Sequence, residues 1–212
     1  MKAKRIDASN DALLDAASPV WAGAEGESVS MAPTPLMLVK EVSPFLALSQ
    51  DHGAVTSLRA AALHNGGMLA IRLQWAAPKH DRIVDLDSFV DGAAVMFPVV
   101  RGAPAATMGA RGKPTNAWYW KANTPAPYEV VAEGFASVQR LAGRSDLKAA
   151  AHYRDGQWNL VLGRSLGKAD GLVKLEAGGS TKIAFAVWSG GNSERSGRKS
   201  FSGEFVDFEI LK

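Results

Sequence analysis

Few side chains in this sequence are placed to do chemistry, and Met108 is the first of them. It is followed by Gly109 in a Gly- and Pro-rich stretch between apolar FVDGAAVMFP (89–98) and aromatic NAWYWK (116–121). A thioether held between two rigid elements either fills a gap in the core, its usual role, or presents a soft sulfur to a metal or cofactor. The four histidines, His52, His64, His80 and His152, show neither H-x-x-x-H nor H-E-x-x-H spacing, so zinc hydrolase chemistry has no support. His64 stands beside a turn and is expected in solvent. His152 falls on a predicted strand as a candidate core histidine. Asp85 and Asp87 lack the further oxygens of a cation loop. There is no G-x-S-x-G, no Walker sequence and no G-x-G-x-x-G after a strand; Gly163 to Gly167 reads as a strand end and turn. With no nucleophile–base constellation, catalysis within the chain is not expected.

The chain has no cysteine. That excludes disulfides, Cys-ligated zinc, iron–sulfur clusters and covalent c-type haem within it, and it fits an oxidising compartment. Hydrophobic content of 47% with 21% charged residues is ordinary for a globular protein, and 212 residues can bury a full core. A net charge of +3, scattered along the chain, is too mild to argue for nucleic acid. No run approaches the roughly 18 apolar residues of a membrane span. Asp7, Asp11 and Asp15 interrupt any apolar leader, which leaves a mature exported form, a cytoplasmic protein, or export with a partner.

The elements that must position Met108 are mostly strands. VTSLRAAAL and MLAIRLQW flank His64-Asn65-Gly66-Gly67, a hairpin signal, because Asn and Gly tolerate positive φ. Leu69, Ile71, Leu73 and Trp75 alternate with Ala70, Arg72 and Gln74, the period of a half-buried strand. LKAAAHYR and QWNLVLGRSL form a second hairpin about Asp155-Gly156. Residues 36–42, 182–188 and the closing FSGEFVDFEIL also read as strands. Asn10 onward predicts one or two helical turns capped by Ser9 or Asn10 and ended by Pro19, with Trp21 as an anchor. Residues 1–30 read as a peripheral segment, and Glu133–Leu141 as a short helix. About eight short strands and two hairpins predict one all-β domain over 1–212, an antiparallel β-sandwich with a few short helices.

The order of these motifs resembles a known family. The strand ending in Trp75, FVDGAAVMFP, Met108-Gly109, NAWYWKA and FAVWSGGNSERSGRKS are together similar to the haem b (gamma) subunit of type II dimethyl sulfoxide reductase-family molybdoenzymes, the ethylbenzene, dimethyl sulfide, selenate and chlorate enzymes. The similarity spans roughly residues 36–212, and the export signal of that family is missing. It implies a β-sandwich holding a non-covalent haem b with axial Met and Lys ligands, here Met108 and Lys199. Lys121 of WYWK is a rival ligand, although on an alternating strand it faces away from Trp120 and would meet only a propionate. Arg101, Arg111, Arg195 and Arg198 are candidate propionate partners, and Trp118, Trp120 and Phe97 candidate haem walls. The implied partners are an iron–sulfur beta subunit, a molybdopterin alpha subunit and a soluble periplasmic cytochrome, in a periplasmic location. Taken without the resemblance, Lys199 is a solvated loop lysine and the tryptophans are core. A different class of function also fits a sandwich: a haem-free carbohydrate-binding module with Trp118, Tyr119 and Trp120 as a stacking platform.

Overall fold

The computed structural model describes residues 1–35, 37, 38, 40, 51–85, 88–124, 126–141, 145–167 and 171–212. Its strands are β1 (Lys2–Arg5), β2 (Glu27–Ser30), β3 (Ala32–Pro33), β4 (Ser57–His64), β5 (Met68–Ala76), β6 (Gly92–Pro98), β7 (Thr115–Lys121), β8 (Tyr128–Ala132), β9 (Gln139–Arg140), β10 (Lys148–Arg154), β11 (Gln157–Ser165), β12 (Ser180–Trp188), β13 (Ser200–Phe201) and β14 (Val206–Ile210). They hydrogen-bond in the order β10-β11-β5-β4-β1-β14-β12-β6-β7-β8-β9, with β2, β3 and β13 attached at the side. The two halves of this run face each other, so the architecture is the expected all-β, sandwich-like one.

Alternation decides which side chains meet between the halves. Leu69, Ile71, Leu73 and Trp75 of β5 point inward, as do Ile183, Phe185 and Val187 of β12. Trp75 meets Trp120 of β7 edge-on at 6.3 Å and stacks with Trp158 of β11 at 6.2 Å. Phe97 of β6 packs edge-on against Trp118 at 5.1 Å. Full burial of a large apolar side chain stabilises by about 1.5–3 kcal/mol, so this aromatic layer dominates the core. A buried polar cluster crosses it. Arg164 of β11 bonds Glu129 of β8, Asn116 of β7 and the Val173 carbonyl, all buried.

Both predicted hairpins form, β4–β5 and β10–β11, with Asp155 and Gly156 at positive φ. Helix α1 (Asn10–Leu14) is capped by Ser9, whose Oγ accepts from Ala12 N, and Trp21 is buried. Several expectations are corrected. Residues 1–30 are not wholly peripheral: β1 inserts between β4 and β14, parallel to both, and Ala3 is fully buried. KAKR carries no apolar pattern, and its place is set by backbone hydrogen bonds that side chains do not reveal. The sheet is therefore mixed. Pro19 opens a 3-10 helix, Pro19–Gly23, rather than only ending α1. The strand expected over 36–42 is not seen; Met37, Leu38 and Lys40 have helical backbone, and positions 36, 39, 41 and 42 lie outside the described residues. The helix expected over 133–141 is a turn followed by β9, because Gly134 and Ala136 adopt positive φ and break helical geometry. His64 is buried, its Nε2 bonded to the Leu211 carbonyl at 2.8 Å and its Nδ1 accepting from Gly66 N at 3.2 Å, and desolvation lowers its pKa. His152 is exposed, on the solvent face of β10.

Candidate functional site

Met108 and Lys199 lie 91 residues apart in sequence, yet the Lys199 ammonium donates to the Met108 sulfur at 3.6 Å. Two loops bring them together on the outer face of the sheet formed by β6, β7 and β12. The β6–β7 connection carries Met108 in a left-handed conformation, φ +59. Met108 N donates to the Ala105 carbonyl, Gly109 N to that of Pro104, and the Met108 carbonyl accepts from Gly134 N. Gly109 is required there. Its φ is +91, and a Cβ would stand 2.7 Å from the Ala132 carbonyl oxygen and 2.8 Å from that of Lys113.

The β12–β13 connection carries Lys199. The Lys199 carbonyl accepts from Thr34 N at 3.0 Å, while the indole N–H of Trp188 donates to the Ser196 carbonyl at 3.0 Å. The Lys199 side chain is buried, and its Nζ lies 5.2 Å from the centre of the Trp188 ring. Among the described residues it forms no ion pair, and desolvation lowers its pKa from 10.5 to about 8. That brings the neutral amine, the only form able to bind a metal, within reach near neutral pH.

A cavity of about 340 Å³ opens beside the pair, walled by Tyr119, Val130, Phe135, Val138, Trp188 and Gly197. A smaller hollow of about 40 Å³ lies against the same two side chains. Met108, Lys199, Ala94, Ala117 and Trp188 line both. Ala94 of β6, Ala117 of β7, and Ala184 and Ala186 of β12 present small side chains to these hollows, so the sheet offers a low apolar floor beneath the Met–Lys pair. The floor is apolar, and the pair beside it supplies one sulfur and one nitrogen donor.

The other expected site residues scatter. Trp118, Trp120 and Phe97 point into the core between the sheets and line neither hollow; the β7 alternation that sends Ala117 and Tyr119 outward sends them inward. Their burial also removes the stacking platform expected of a carbohydrate-binding module. Lys121 faces outward as expected, its Nζ 5.7 Å from the Tyr119 ring centre, and does not reach the cavity wall. Arg101 and Arg111 are exposed on the Met108 loop, and Arg101 borders a different cleft. Arg195 stands over the Phe89 ring at 4.5 Å. Arg198, beside Lys199, keeps a buried Nε with no acceptor among the described residues. Sequence reasoning missed Trp188 and Tyr119 as walls. The strand alternation around each was legible, but which face would carry the cavity was not. Among the described residues, no group of three or more His, Asp or Glu side chains is placed to hold a metal ion, and no helix is long and apolar enough to cross a membrane.

A family model described as ethylbenzene dehydrogenase matches residues 18–141 and 138–200. The chain is 36% identical over 152 residues to a Haloferax mediterranei protein described as a respiratory nitrate reductase haem subunit, an alignment covering 70% of this chain and 54% of that one. It is 32% identical over 199 residues to the chlorate reductase subunit gamma of Ideonella dechloratans, covering 90% and 78%. It is also 32% identical over 140 residues to the dimethylsulfide dehydrogenase subunit gamma of Rhodovulum sulfidophilum, covering 62% and 52%. The chain thus spans about half the length of two of these relatives. Among solved structures, a family 9 carbohydrate-binding module from Caldicellulosiruptor kristjanssonii aligns with a TM-score of 0.50 at 9% identity, covering 100% of this chain and 96% of the module. A Bacteroides uniformis protein described as carbohydrate-binding aligns with a TM-score of 0.56 at 9% identity, covering 98% and 97%. At that identity the likeness concerns the fold alone.

Proposed function

We propose a haem-binding, electron-transfer function for this chain, which belongs to the ethylbenzene dehydrogenase family. In this reading it is the gamma subunit of a multi-subunit molybdoenzyme; the chlorate reductase and dimethylsulfide dehydrogenase relatives are named as gamma subunits. The observation that carries the reading is the contact between Met108 Sδ and Lys199 Nζ over an apolar alanine floor. The residues present fit a haem b: a thioether, an apolar bed, and, among the described residues, a buried amine with no counter-ion and an arginine Nε without an acceptor.

Met108 and Lys199 would ligate the iron, and Arg198 would pair with a propionate. When bound, haem supplies reversible one-electron transfer, and two protein ligands leave no position for oxygen or substrate. A thioether ligand favours the reduced state. Lys199 contributes only as the neutral amine, and its burial among Trp188, Met108 and alanines lowers the cost of losing the proton. Trp188 and Tyr119 exclude water from the bed. Electrons would pass between an iron–sulfur subunit docked to a molybdopterin subunit and a soluble carrier, with the periplasm as the implied compartment.

The test is titration of the purified chain with haemin, followed by absorption and EPR. A six-coordinate low-spin spectrum is expected for the wild type and for Lys121→Ala, and a high-spin spectrum for Lys199→Ala. A high-spin Lys121→Ala beside a low-spin Lys199→Ala would reverse the ligand assignment. A folded protein that takes up no haemin would refute the function.

A further inference from the structure

Lys199 is carried by a loop that a buried carboxylate holds in place. Glu194 is 1% exposed and forms no ion pair among the described residues. Its Oε1 accepts from Gly53 N at 2.7 Å, Ala54 N at 2.9 Å and Asn192 Nδ2 at 3.0 Å, and its Oε2 accepts from Ser189 N at 2.9 Å. Three of these donors converge on Oε1 and one on Oε2, so four neutral groups hold the carboxylate, which only accepts. Bonds to an ionised acceptor are roughly twice as strong as neutral ones. Two of the four donors, Ser189 N and Asn192 Nδ2, belong to the turn that carries Glu194, and two, Gly53 N and Ala54 N, to the segment beside it. Asn192 Nδ2 reaches the Asp51 carbonyl as well. The loop itself contains Ser193 and Ser196 at φ +54 and +53, conformations that persist only where the surroundings hold them.

We propose that Glu194 is a positioning residue that fixes the β12–β13 loop so that the Lys199 amine faces Met108. The inference rests on the haem reading of that pair and adds to it the group that pre-orients one ligand. Among the described residues the ammonium hydrogen-bonds only a thioether, a weak acceptor, so the contact cannot itself hold the long lysine side chain in register. Its direction is therefore inherited from the backbone, which is fixed by Glu194 at one end of the turn and by Thr34 at the Lys199 carbonyl. Groups that orient metal ligands in this way commonly matter 10–100-fold in affinity.

Glu194→Gln is the direct test. The glutamine has the same size but only one accepting atom, so in either orientation its amide group faces an N–H that needs an acceptor. The full chain is loaded with haemin, and affinity and spin state are read for the wild type, Glu194→Gln, Lys199→Ala and Arg154→Ala. Arg154 is exposed at the β10–β11 turn, outside the site, and serves as the control. Glu194→Gln is expected to bind haemin about 10–100-fold more weakly and to show a mixture of low-spin and high-spin haem, with Arg154→Ala like the wild type. Wild-type affinity and spin state in Glu194→Gln overturn the inference while leaving the haem reading intact. A changed midpoint potential with unchanged ligation also overturns it, since that is the effect of a charge and not of position. A wild type that is never low-spin, or a low-spin Lys199→Ala, defeats the haem reading and this inference with it. If circular dichroism shows Glu194→Gln unfolded, Asn192→Ala is read instead, because it removes one of the four donors. A weaker, partly high-spin haem complex supports the positioning role, and wild-type behaviour refutes it.

Discussion

Replacing Lys199 with leucine should stabilise the haem-free protein at neutral pH, and the size of that effect follows from its environment. The ammonium is buried against the Trp188 ring and the Met108 sulfur, without an ion-pair partner among the described residues. Desolvation alone lowers its pKa from 10.5 to about 8. At about 1.4 kcal/mol per pK unit, that difference corresponds to about 3 kcal/mol. The unfolded chain holds the proton up to about pH 10.5, and the folded chain releases it near pH 8. Between those values the unfolded state binds more protons, so wild-type stability rises with pH across that window, and below it the full penalty applies. Lys199→Leu has no such penalty. Its stability relative to wild type should exceed its value at pH 10.5 by about 3 kcal/mol when measured at pH 7, whatever constant offset arises from packing. Urea denaturation followed by tryptophan fluorescence at the two pH values reads this difference directly. A gap between the two proteins that does not change with pH would refute the claim that the folded protein buries a charged lysine at pH 7. The same variant should fail to form low-spin haem, so a site residue would be traded for stability.

Two further outcomes follow from the geometry. Gly109→Ala should destabilise by roughly 1–3 kcal/mol, because alanine is strained at φ +91 and its Cβ would meet the Ala132 and Lys113 carbonyls; the displaced Met108 loop should also lose sulfur ligation, read in the haem spectrum, and a wild-type spectrum would count against it. Glu129→Ala should cost about 3–5 kcal/mol in denaturation experiments by leaving the buried Arg164 charge unpaired, whereas Glu129→Leu combined with Arg164→Met should recover most of that loss.

Strands were legible where one face is apolar and the other is not. The β5 and β12 alternations and the Asn65-Gly66 and Asp155-Gly156 turns mark five long strands, β4, β5, β10, β11 and β12. β1 was illegible because KAKR has a single buried side chain, Ala3, and the rest of its contribution is backbone pairing. Residues 133–141 misled because their composition suits a helix, whereas two positive-φ positions decide the turn. At the site, Met108 and Lys199 came from the motif resemblance; no spacing rule joins positions 91 apart, and only the folded sheet sets one loop against the other. Glu194 was invisible for a related reason. In SGGNSERSGRKS it reads as one more solvated loop charge, and its burial depends on Gly53 and Ala54 arriving from a distant segment.

The distribution of backbone strain separates this cavity from an ordinary packing gap. Among the described residues, five non-glycine positions have left-handed φ: Met108, Ala136, Asp155, Ser193 and Ser196. Asp155 is accounted for by its hairpin turn. Three of the remaining four, Met108, Ala136 and Ser196, line the 340 Å³ cavity, and they come from three different loops. A gap left by imperfect packing has no reason to draw strained residues from separate parts of the chain, since each costs about 1–3 kcal/mol that the surrounding contacts must offset. A site that must present particular atoms does have such a reason. The interior between the sheets is already filled by Trp75, Trp118, Trp120 and Trp158, so a flat ligand can be held only on an outer face. The face built from Ala94, Ala117, Ala184 and Ala186 is the one these strained loops cover. Strain, small side chains and the Met–Lys pair therefore coincide at one place, which is the pattern expected of a binding site shaped in advance of its ligand.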